Sequence, residues 1–309
     1  MKLVFCGTPL FAVPSLEHLA QAGFEIQLVV SQPDRQKGRG LELGIPPVKQ
    51  RAQQLGLPVI QPEKIKSNPE FQQRLTSLKP DAIIVVAYGR IIPPWMLHLP
   101  PLGNINVHAS LLPKYRGAAP IQWAIANGET LTGVTTMQLD EGLDTGDILL
   151  QRELAIGRED TAVSLSPKLA EVGADLLIET LRGLESETVR PISQDDSQAT
   201  LAPLLKKEDG LVGFSRTAEE IYNRMRGFQP WPGATTRFRG KGFKLIAARP
   251  VQDGKAAPGE LRVTADRLIA GCGGSSWLEL LEVQPEGKKA MSAREFINGY
   301  RPLTGEHLG

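Results

Sequence analysis

The chain has 309 residues, of which 41% are hydrophobic and 22% are charged, with a formal net charge of +1. This length is typical of two domains or one large one, and the composition is that of a soluble globular protein. No apolar run is long enough to cross a bilayer, and the two distant cysteines, Cys6 and Cys272, indicate neither a disulfide framework nor a metal-ligand pair.

The N-terminal segment KLVFCG, residues 2–7, predicts a buried strand. A signal peptide would need a longer apolar region and a small-residue cleavage site, so we expect a cytoplasmic protein without membrane contact. Thr8 stands before Pro9, a pair typical of a helix cap followed by proline at the first helical position. An amphipathic helix over 15–23 and a second strand over 25–31 follow.

Strand and helix signals continue to alternate after this point. A long polar loop over 32–46 precedes two helical patterns, near 48–56 and 68–78. Residues 81–89, DAIIVVAYG, are mostly apolar and β-branched, as in a parallel strand buried on both faces. Residues 103–110, GNINVHAS, add a further strand. The alternation predicts a doubly wound, Rossmann-like α/β sheet, whose ligands bind beyond the carboxyl ends of its strands.

The pattern changes after a long helix predicted over 161–184. A polar, aperiodic stretch indicates a linker, and a helix over 217–228 then precedes short strands punctuated by glycine and proline. Such strands predict a small β-barrel. Near the end of the chain, Ser292 and Glu295 have the spacing of a capping box, which predicts that a last short helix begins there. We therefore expect a catalytic domain over 1–189, a linker over 190–206 and a second domain over 207–309.

Charge is distributed unevenly along the chain. Residues 1–205 contain 18 basic and 22 acidic residues, a net charge of −4, whereas residues 206–309 contain 17 and 12, a net charge of +5. A basic second domain favours a polyanionic partner such as a nucleic acid. An ordinary solvated surface explains the same charge equally well.

The strand over 103–110 contains the first candidate for chemistry. Asn106 and His108 are two residues apart, so they share a face of the strand. An amide donor can stabilise an oxyanion, and an imidazole can move a proton near neutral pH. The pair alone favours a histidine that only hydrogen-bonds a neighbouring loop, because a carboxylate that orients the imidazole is still missing.

Candidates for that carboxylate follow the predicted strand TGVTTMQL, in the glycine-rich segment DEGLDTGD. They are Asp140, Asp144 and Asp147. The segment does not match the spacing of a calcium-binding loop, and four histidines with two scattered cysteines do not indicate a zinc site, so we expect no metal.

Two segments together resemble the folate-dependent formyltransferases: NVHASLLPKYRGAAPIQWAI, residues 106–125, and TGVTTMQLDEGLDTGDIL, residues 132–149. The resemblance implies that Asn106, His108 and Asp144 are catalytic, because the family's aspartate stands directly before Thr-Gly. It also implies that 10-formyltetrahydrofolate is the formyl donor. The donor would bind along the SLLP segment, which contains Ser110, Leu111, Leu112 and Pro113.

Other segments resemble the members of this family that formylate methionyl-initiator tRNA for translation initiation. They are FCGTPLFAVPSL, QPDRQKGRG, PVKQRAQQLGLPVIQP, VVAYGRIIP, PWPGATT and GKKAMSA. The resemblance implies formyl transfer to the α-amino group without a covalent enzyme intermediate, and an OB-like second domain. It also implies that Arg35, Lys37 and Arg39 contact tRNA, although a solvated surface loop would have the same charges.

The segment RFRGKGFK, residues 237–244, interleaves four cations with Phe238 and Phe243, a composition consistent with nucleic-acid contact. Residues that alternate on a strand face opposite sides, so only some of these side chains can reach RNA. Lys114 and Arg116 could contact either RNA or the folate.

Other acceptors remain open at this point: a sugar nucleotide, glycinamide ribonucleotide or water would use the same three catalytic residues. A non-catalytic RNA-binding protein on the same fold is the alternative from another class, and an intact Asn, His and Asp set argues against it. We expect the protein to be a monomer.

Overall fold

The computed structural model describes residues 1–37, 42–252, 255 and 257–309. Its contacts divide the chain into two compact units. The first contains Met1–Pro120, Leu131–Ala155 and Ser166–Ala202, and the second contains Ile121–Thr130, Ile156–Leu165 and Pro203–Gly309. The functional division into 1–189, 190–206 and 207–309 stays a prediction, because packing contacts do not identify what each region does.

The strands of the first unit are β1 (Lys2–Gly7), β2 (Glu25–Val30), β3 (Arg35–Lys37), β4 (Glu42–Gly44), β5 (Val59–Ile60), β6 (Ala82–Val86), β7 (Asn104–His108), β8 (Leu131–Gln138) and β9 (Ile148–Ala155). Seven of them form one sheet in the order β5-β2-β1-β6-β7-β8-β9. The pairs from β5 to β7 are parallel, whereas β8 is antiparallel to both of its neighbours. The predicted α/β sheet is therefore confirmed, with an antiparallel edge added to its parallel part.

The helices are α1 (Val13–Gln21), α2 (Pro47–Gln54), α3 (Pro69–Leu78), α4 (Pro94–Leu97), α5 (Pro120–Ala126), α6 (Ala162–Glu185), α7 (Ala218–Gly227) and α8 (Ala293–Tyr300). Short 3-10 turns occupy Leu10–Ala12, Asp196–Gln198 and Lys207–Gly210. In the part of the chain that is described, no helix has both the length and the apolar character needed to span a bilayer.

Two local expectations were wrong. Thr8 does not cap a helix: its hydroxyl donates to the Tyr88 carbonyl at 3.0 Å, and α1 begins only at Val13, with a proline in its first turn. The segment 32–46, expected to be a loop, contains the antiparallel pair β3 and β4, with Arg35 opposite Gly44. Strand pairing of such polar residues depends on backbone hydrogen bonds, which apolar periodicity does not report.

The second unit contains an antiparallel sheet of short strands: β10 (Ala234–Phe238), β11 (Lys241–Val251), β12 (Leu261–Val263), β13 (Leu268–Cys272), β14 (Ser276–Pro285) and β15 (Met291–Ser292). Their order is β10-β11-β14-β13-β12, and β15 pairs with β14. Leu308 bridges Phe238 of β10, while His307 bridges Glu260 beside β12. The last residues thus join the two edges of the sheet, which confirms a small OB-like barrel.

Helix α8 begins at the predicted capping box. The Ser292 hydroxyl accepts from the Glu295 amide, and the Glu295 carboxylate accepts from the Ser292 amide, so two amides at the start of the helix have partners. Phe296 of this helix packs with Phe238 and Phe243 in the barrel core, with ring centroids 5.4 and 5.1 Å away. The helix therefore contributes aromatic surface to the same core as the strands.

Candidate active site

Strand β7 places Asn106 and His108 at the ligand-binding end of the parallel strands. Asn106 lies opposite Val85 of parallel β6, and His108 lies opposite Thr135 of antiparallel β8. Both polar side chains are buried, with 9% and 6% of their surface exposed. The shared face that the i, i+2 spacing predicted thus lies where an open α/β sheet binds its ligands.

The imidazole of His108 has a defined tautomer. Its Nε2 lies 2.9 Å from the backbone carbonyl oxygen of Tyr115. A carbonyl oxygen only accepts hydrogen bonds, so Nε2 must carry a hydrogen and donate it. Nδ1 is therefore the nitrogen that gains or loses a proton, and it lies 3.7 Å from Oδ2 of Asp144. Any proton that His108 exchanges passes through this Nδ1 side.

Of the three candidate aspartates, Asp144 is the one that faces His108. Asp140 instead accepts hydrogen bonds from its own loop, and Asp147 accepts one from the Ser193 hydroxyl at 3.0 Å. The Asp144 carboxylate is 15% exposed and has a backbone φ of +52°, a left-handed conformation that is uncommon for a residue other than glycine. The backbone of Asp144 thus adopts an uncommon conformation, and its carboxylate lies opposite the imidazole.

Two glycines make that geometry possible. The Gly117 amide donates to Oδ2 of Asp144 at 2.9 Å, and Gly117 has a φ of +122°, with the Ala202 carbonyl oxygen 2.7 Å from the place a Cβ would occupy. A Cβ on Gly146 would lie only 1.9 Å from the Gln138 carbonyl oxygen. A side chain at either position would force the backbone around the carboxylate to move.

The Asn106 side-chain amide has no hydrogen-bond partner among the described residues, although the residue is 9% exposed. Buried amides normally have partners, so this group is available to a bound molecule. An Asn donor beside an imidazole that faces a carboxylate can stabilise negative charge on an oxygen and transfer a proton nearby.

The SLLP segment is hydrogen-bonded to the adjoining strand β8. The Thr135 hydroxyl donates to the Ser110 carbonyl and accepts from the Leu112 amide, at 2.7 and 3.1 Å. The Ser110 and Leu112 side chains are buried, whereas Leu111 and Pro113 are half-buried. Apolar surface for a flat ligand on this segment thus comes from Leu111 and Pro113, while Ser110 and Leu112 fix the turn.

The described residues favour neither a cysteine nucleophile nor a metal site. Burial raises the pKa of the Cys6 thiol well above its ordinary range and raises that of Cys272 to about 12, so neither forms a thiolate nucleophile at neutral pH. Across residues 1–37, 42–252, 255 and 257–309, no group of three or more His, Cys, Asp or Glu side chains is placed to hold a metal ion.

The basic candidates differ in what the structure describes. Arg35 is exposed and its guanidinium donates to Gln32 at 3.3 Å. The backbone of Lys37 lies in β3, but its side chain is outside the described residues, as is Arg39 altogether. The contact of all three with tRNA therefore stays a prediction.

In the segment 237–244, Arg237, Lys241 and Lys244 are exposed, whereas Phe238 and Phe243 are buried in the barrel core. The two phenylalanines therefore do not form a stacking surface for bases, contrary to the interleaved pattern. Arg239 is also exposed, but it pairs with the Glu306 carboxylate at 2.8 Å.

Arg116, left open between RNA and folate, is buried, and its guanidinium donates to Gln194 at 3.0 and 2.8 Å and to Asp196 at 2.7 Å. It is thus a structural residue of this region. The contributions of Gln194 and of the Tyr115 carbonyl were not predicted, because a backbone acceptor and a glutamine in a polar segment carry no local pattern. Lys114 is exposed.

Residues 1–181 match the formyl transferase family, and residues 204–301 match the formyl transferase C-terminal domain. The first match covers both β7 and the Asp144 loop, and the second covers most of the barrel. The three residues of the site thus lie within the matched N-terminal region.

A methionyl-tRNA formyltransferase from Koribacter versatilis is 63% identical to this chain, over 100% of this chain and 99% of the relative. The similarity therefore includes both compact units and the segment between residues 181 and 204.

Two solved structures show how widely the fold is shared. The N-formyltransferase from Helicobacter canadensis, in complex with folinic acid and dTDP-3-aminofucose, is 19% identical with a TM-score of 0.66, over 92% of this chain and 99% of that one. The phosphoribosylglycinamide formyltransferase from Bacillus halodurans is 26% identical with a TM-score of 0.51, over 60% of this chain and 96% of that one. The first likeness indicates the fold alone.

Proposed function

The chain belongs to the formyl transferase family, and we propose that it transfers the formyl group of 10-formyltetrahydrofolate to the α-amino group of methionyl-initiator tRNA. The observation that carries formyl transfer is the His108 imidazole, with its Nδ1 side facing Asp144 and with the Asn106 amide on the same strand face. The full-length similarity to a methionyl-tRNA formyltransferase supports the choice of acceptor.

The donor supplies a formyl carbon activated by its bond to N10. The Asn106 amide and protonated His108 stabilise the negative charge that develops on the formyl oxygen as the amine attacks. The Asp144 carboxylate stabilises the imidazolium and assists transfer of the amine proton toward N10. A bond forms between the amine nitrogen and the formyl carbon, the bond from that carbon to N10 breaks, and the proton leaves with N10.

The residues present fit this donor. Leu111 and Pro113 keep apolar surface on a segment that is hydrogen-bonded to β8, and the Asn106 amide lacks a partner among the described residues. We therefore propose that Ser110, Leu111, Leu112 and Pro113 form part of the folate-binding wall, the two buried members by fixing the turn. No covalent bond to the enzyme is needed, since the amine attacks the formyl carbon directly and N10 leaves from the same carbon.

Three cations, Arg35, Lys37 and Arg39, form the second part of the proposal: they contact phosphates of the tRNA. The net charge of +5 over residues 206–309 supports a further contribution from the barrel. The proposal also includes a cytoplasmic monomer, consistent with two free, buried cysteines.

The test compares acceptors. Purified protein with 10-formyltetrahydrofolate is given charged initiator tRNA, charged elongator methionine tRNA and an amino-sugar nucleotide in parallel. We expect formylation of the charged initiator tRNA alone. Formylation of the sugar nucleotide in preference to the tRNA would overturn the choice of acceptor, and no formylation of any amine would overturn the proposed activity.

A further inference from the structure

The segment 192–202, within the predicted linker, is hydrogen-bonded to two loops of the candidate site. One loop follows β7 and contains Tyr115 and Arg116, and the other follows β8 and contains Asp144 and Gly146. Ile192 forms a bridge with Ile148 after the Asp144 loop. The Thr200 hydroxyl accepts from the Tyr115 amide at 2.8 Å, and Tyr115 is the residue whose carbonyl holds His108. The segment therefore connects the two parts of the chain that carry the imidazole and the carboxylate.

Gln194 forms the central connection. Its Nε2 donates to the backbone carbonyls of Asp144 and Gly146, at 2.9 and 2.7 Å. Its Oε1 accepts from Nε and Nη2 of Arg116, at 3.0 and 2.8 Å. A glutamine amide has two hydrogens to donate and two lone pairs, so all its hydrogen-bonding capacity is used on these two loops. Both loops belong to the same compact unit as Gln194.

The two loops need such a support. Asp144 and Tyr115 have φ values of +52° and +62°, in the left-handed region that is uncommon for aspartate and unfavourable for a bulky residue such as tyrosine. The separation of 3.7 Å between Asp144 and His108 exceeds that of a close hydrogen-bonded pair. A small displacement of the Asp144 backbone would therefore change the interaction of the carboxylate with the imidazole.

We propose that Gln194 is a positioning residue for formyl transfer: by bridging Arg116 to the backbone of Asp144, it holds the Asp144 carboxylate opposite His108. The inference rests on the proposed function, and it adds a residue from outside the three that touch the reacting atoms. Gln194 acts through Asp144, so it is expected to influence the chemical step more than the binding of either substrate.

The first test uses Gln194→Ala and Gln194→Glu. The glutamate keeps the size and an acceptor for Arg116, but it places a carboxylate against two carbonyl oxygens and loses both donors. We expect each substitution to lower kcat by roughly tenfold or more, with each KM changed by less than about threefold, since positioning acts in the transition state. Parent-like kcat in both variants would overturn the inference.

The matched control is Gln198→Ala. Gln198 lies in the same segment and is exposed, and its amide donates to Asp195 at 2.7 Å rather than to a catalytic loop. We expect parent-like kcat and KM, and a melting temperature equal to the parent's. A fall in kcat equal to that of Gln194→Ala would mean that the segment acts only as a general support, against the specific role of Gln194.

A double-mutant cycle separates positioning from stability. If Gln194 acts through the carboxylate, adding Gln194→Ala to Asp144→Asn should lower the single-turnover rate by less than about threefold, because the group it positions has already been changed. Independent, multiplicative falls would overturn the inference. Failure of the parent protein to formylate initiator tRNA would overturn the proposed function. The inference about Gln194 is judged separately, because each variant is compared with an active parent.

Discussion

The candidate site differs from the basic hairpin of the barrel, residues 237–244 of β10 and β11, in the exposure of its polar side chains. At the site, Asn106 and His108 are buried, and His108 is hydrogen-bonded to a backbone carbonyl. In the hairpin, Arg237, Lys241 and Lys244 are exposed, and the phenylalanines between them form the core. The first region excludes solvent from its polar groups, while the second displays its charges to solvent.

The functions proposed for the two regions require different physical properties. Electrostatic stabilisation of a reacting group depends on donors held in position away from water, so each residue there should have a large effect. Phosphate contacts depend on the number of accessible charges and weaken with salt, so each cation should have a small effect that adds to the others. A substitution at the site should therefore have a larger effect than the loss of one cation.

Substitution of either strand residue should have the largest effect. We expect Asn106→Ala or His108→Ala to lower the single-turnover rate by roughly a hundredfold or more, because each removes a group that we propose stabilises charge in the transition state. Folate binding, measured by equilibrium titration, should change much less. A near-parent single-turnover rate in one variant would remove that residue from the proposed mechanism.

Removal of the exposed hairpin cations should have an intermediate effect. We expect the triple substitution of Arg237, Lys241 and Lys244 by alanine to raise KM for charged tRNA by about tenfold at moderate salt, with kcat unchanged. The salt dependence of kcat/KM should also become shallower. Alanine at Lys64, Lys66 and Arg74, which are exposed in the first unit, removes the same charge, and an equal rise there would mean that only net charge matters.

Arg39→Ala should have the smallest effect of the three. One cation of a three-cation segment is lost, so we expect KM for charged tRNA to rise by about threefold while the affinity for folate stays constant. Arg74→Ala is the single-charge control. Identical tRNA kinetics in the Arg39 variant and the parent, over a range of salt concentrations, would contradict the predicted contact.

Local patterns in the sequence were sufficient for much of the architecture. The apolar, β-branched run that became β6 predicted a buried parallel strand, and all five of its residues are buried. Ser292 and Glu295 predicted the start of α8, because a capping box is made by residues three apart. The prediction at Thr8 was wrong because its hydroxyl donates to the Tyr88 carbonyl, a residue distant in the chain, and does not cap a helix.

Local sequence patterns were sufficient for the alternating α/β elements, the change to short strands and the shared face of Asn106 and His108, since these depend on neighbours a few residues apart. The resemblance to a family then selected Asp144 among three aspartates. Two contacts became visible only in the folded chain: the Tyr115 carbonyl sets the tautomer of His108, and Gln194 joins the two loops. The first contact spans seven residues of the chain and the second spans fifty, and both end at backbone carbonyls, which local sequence patterns do not mark.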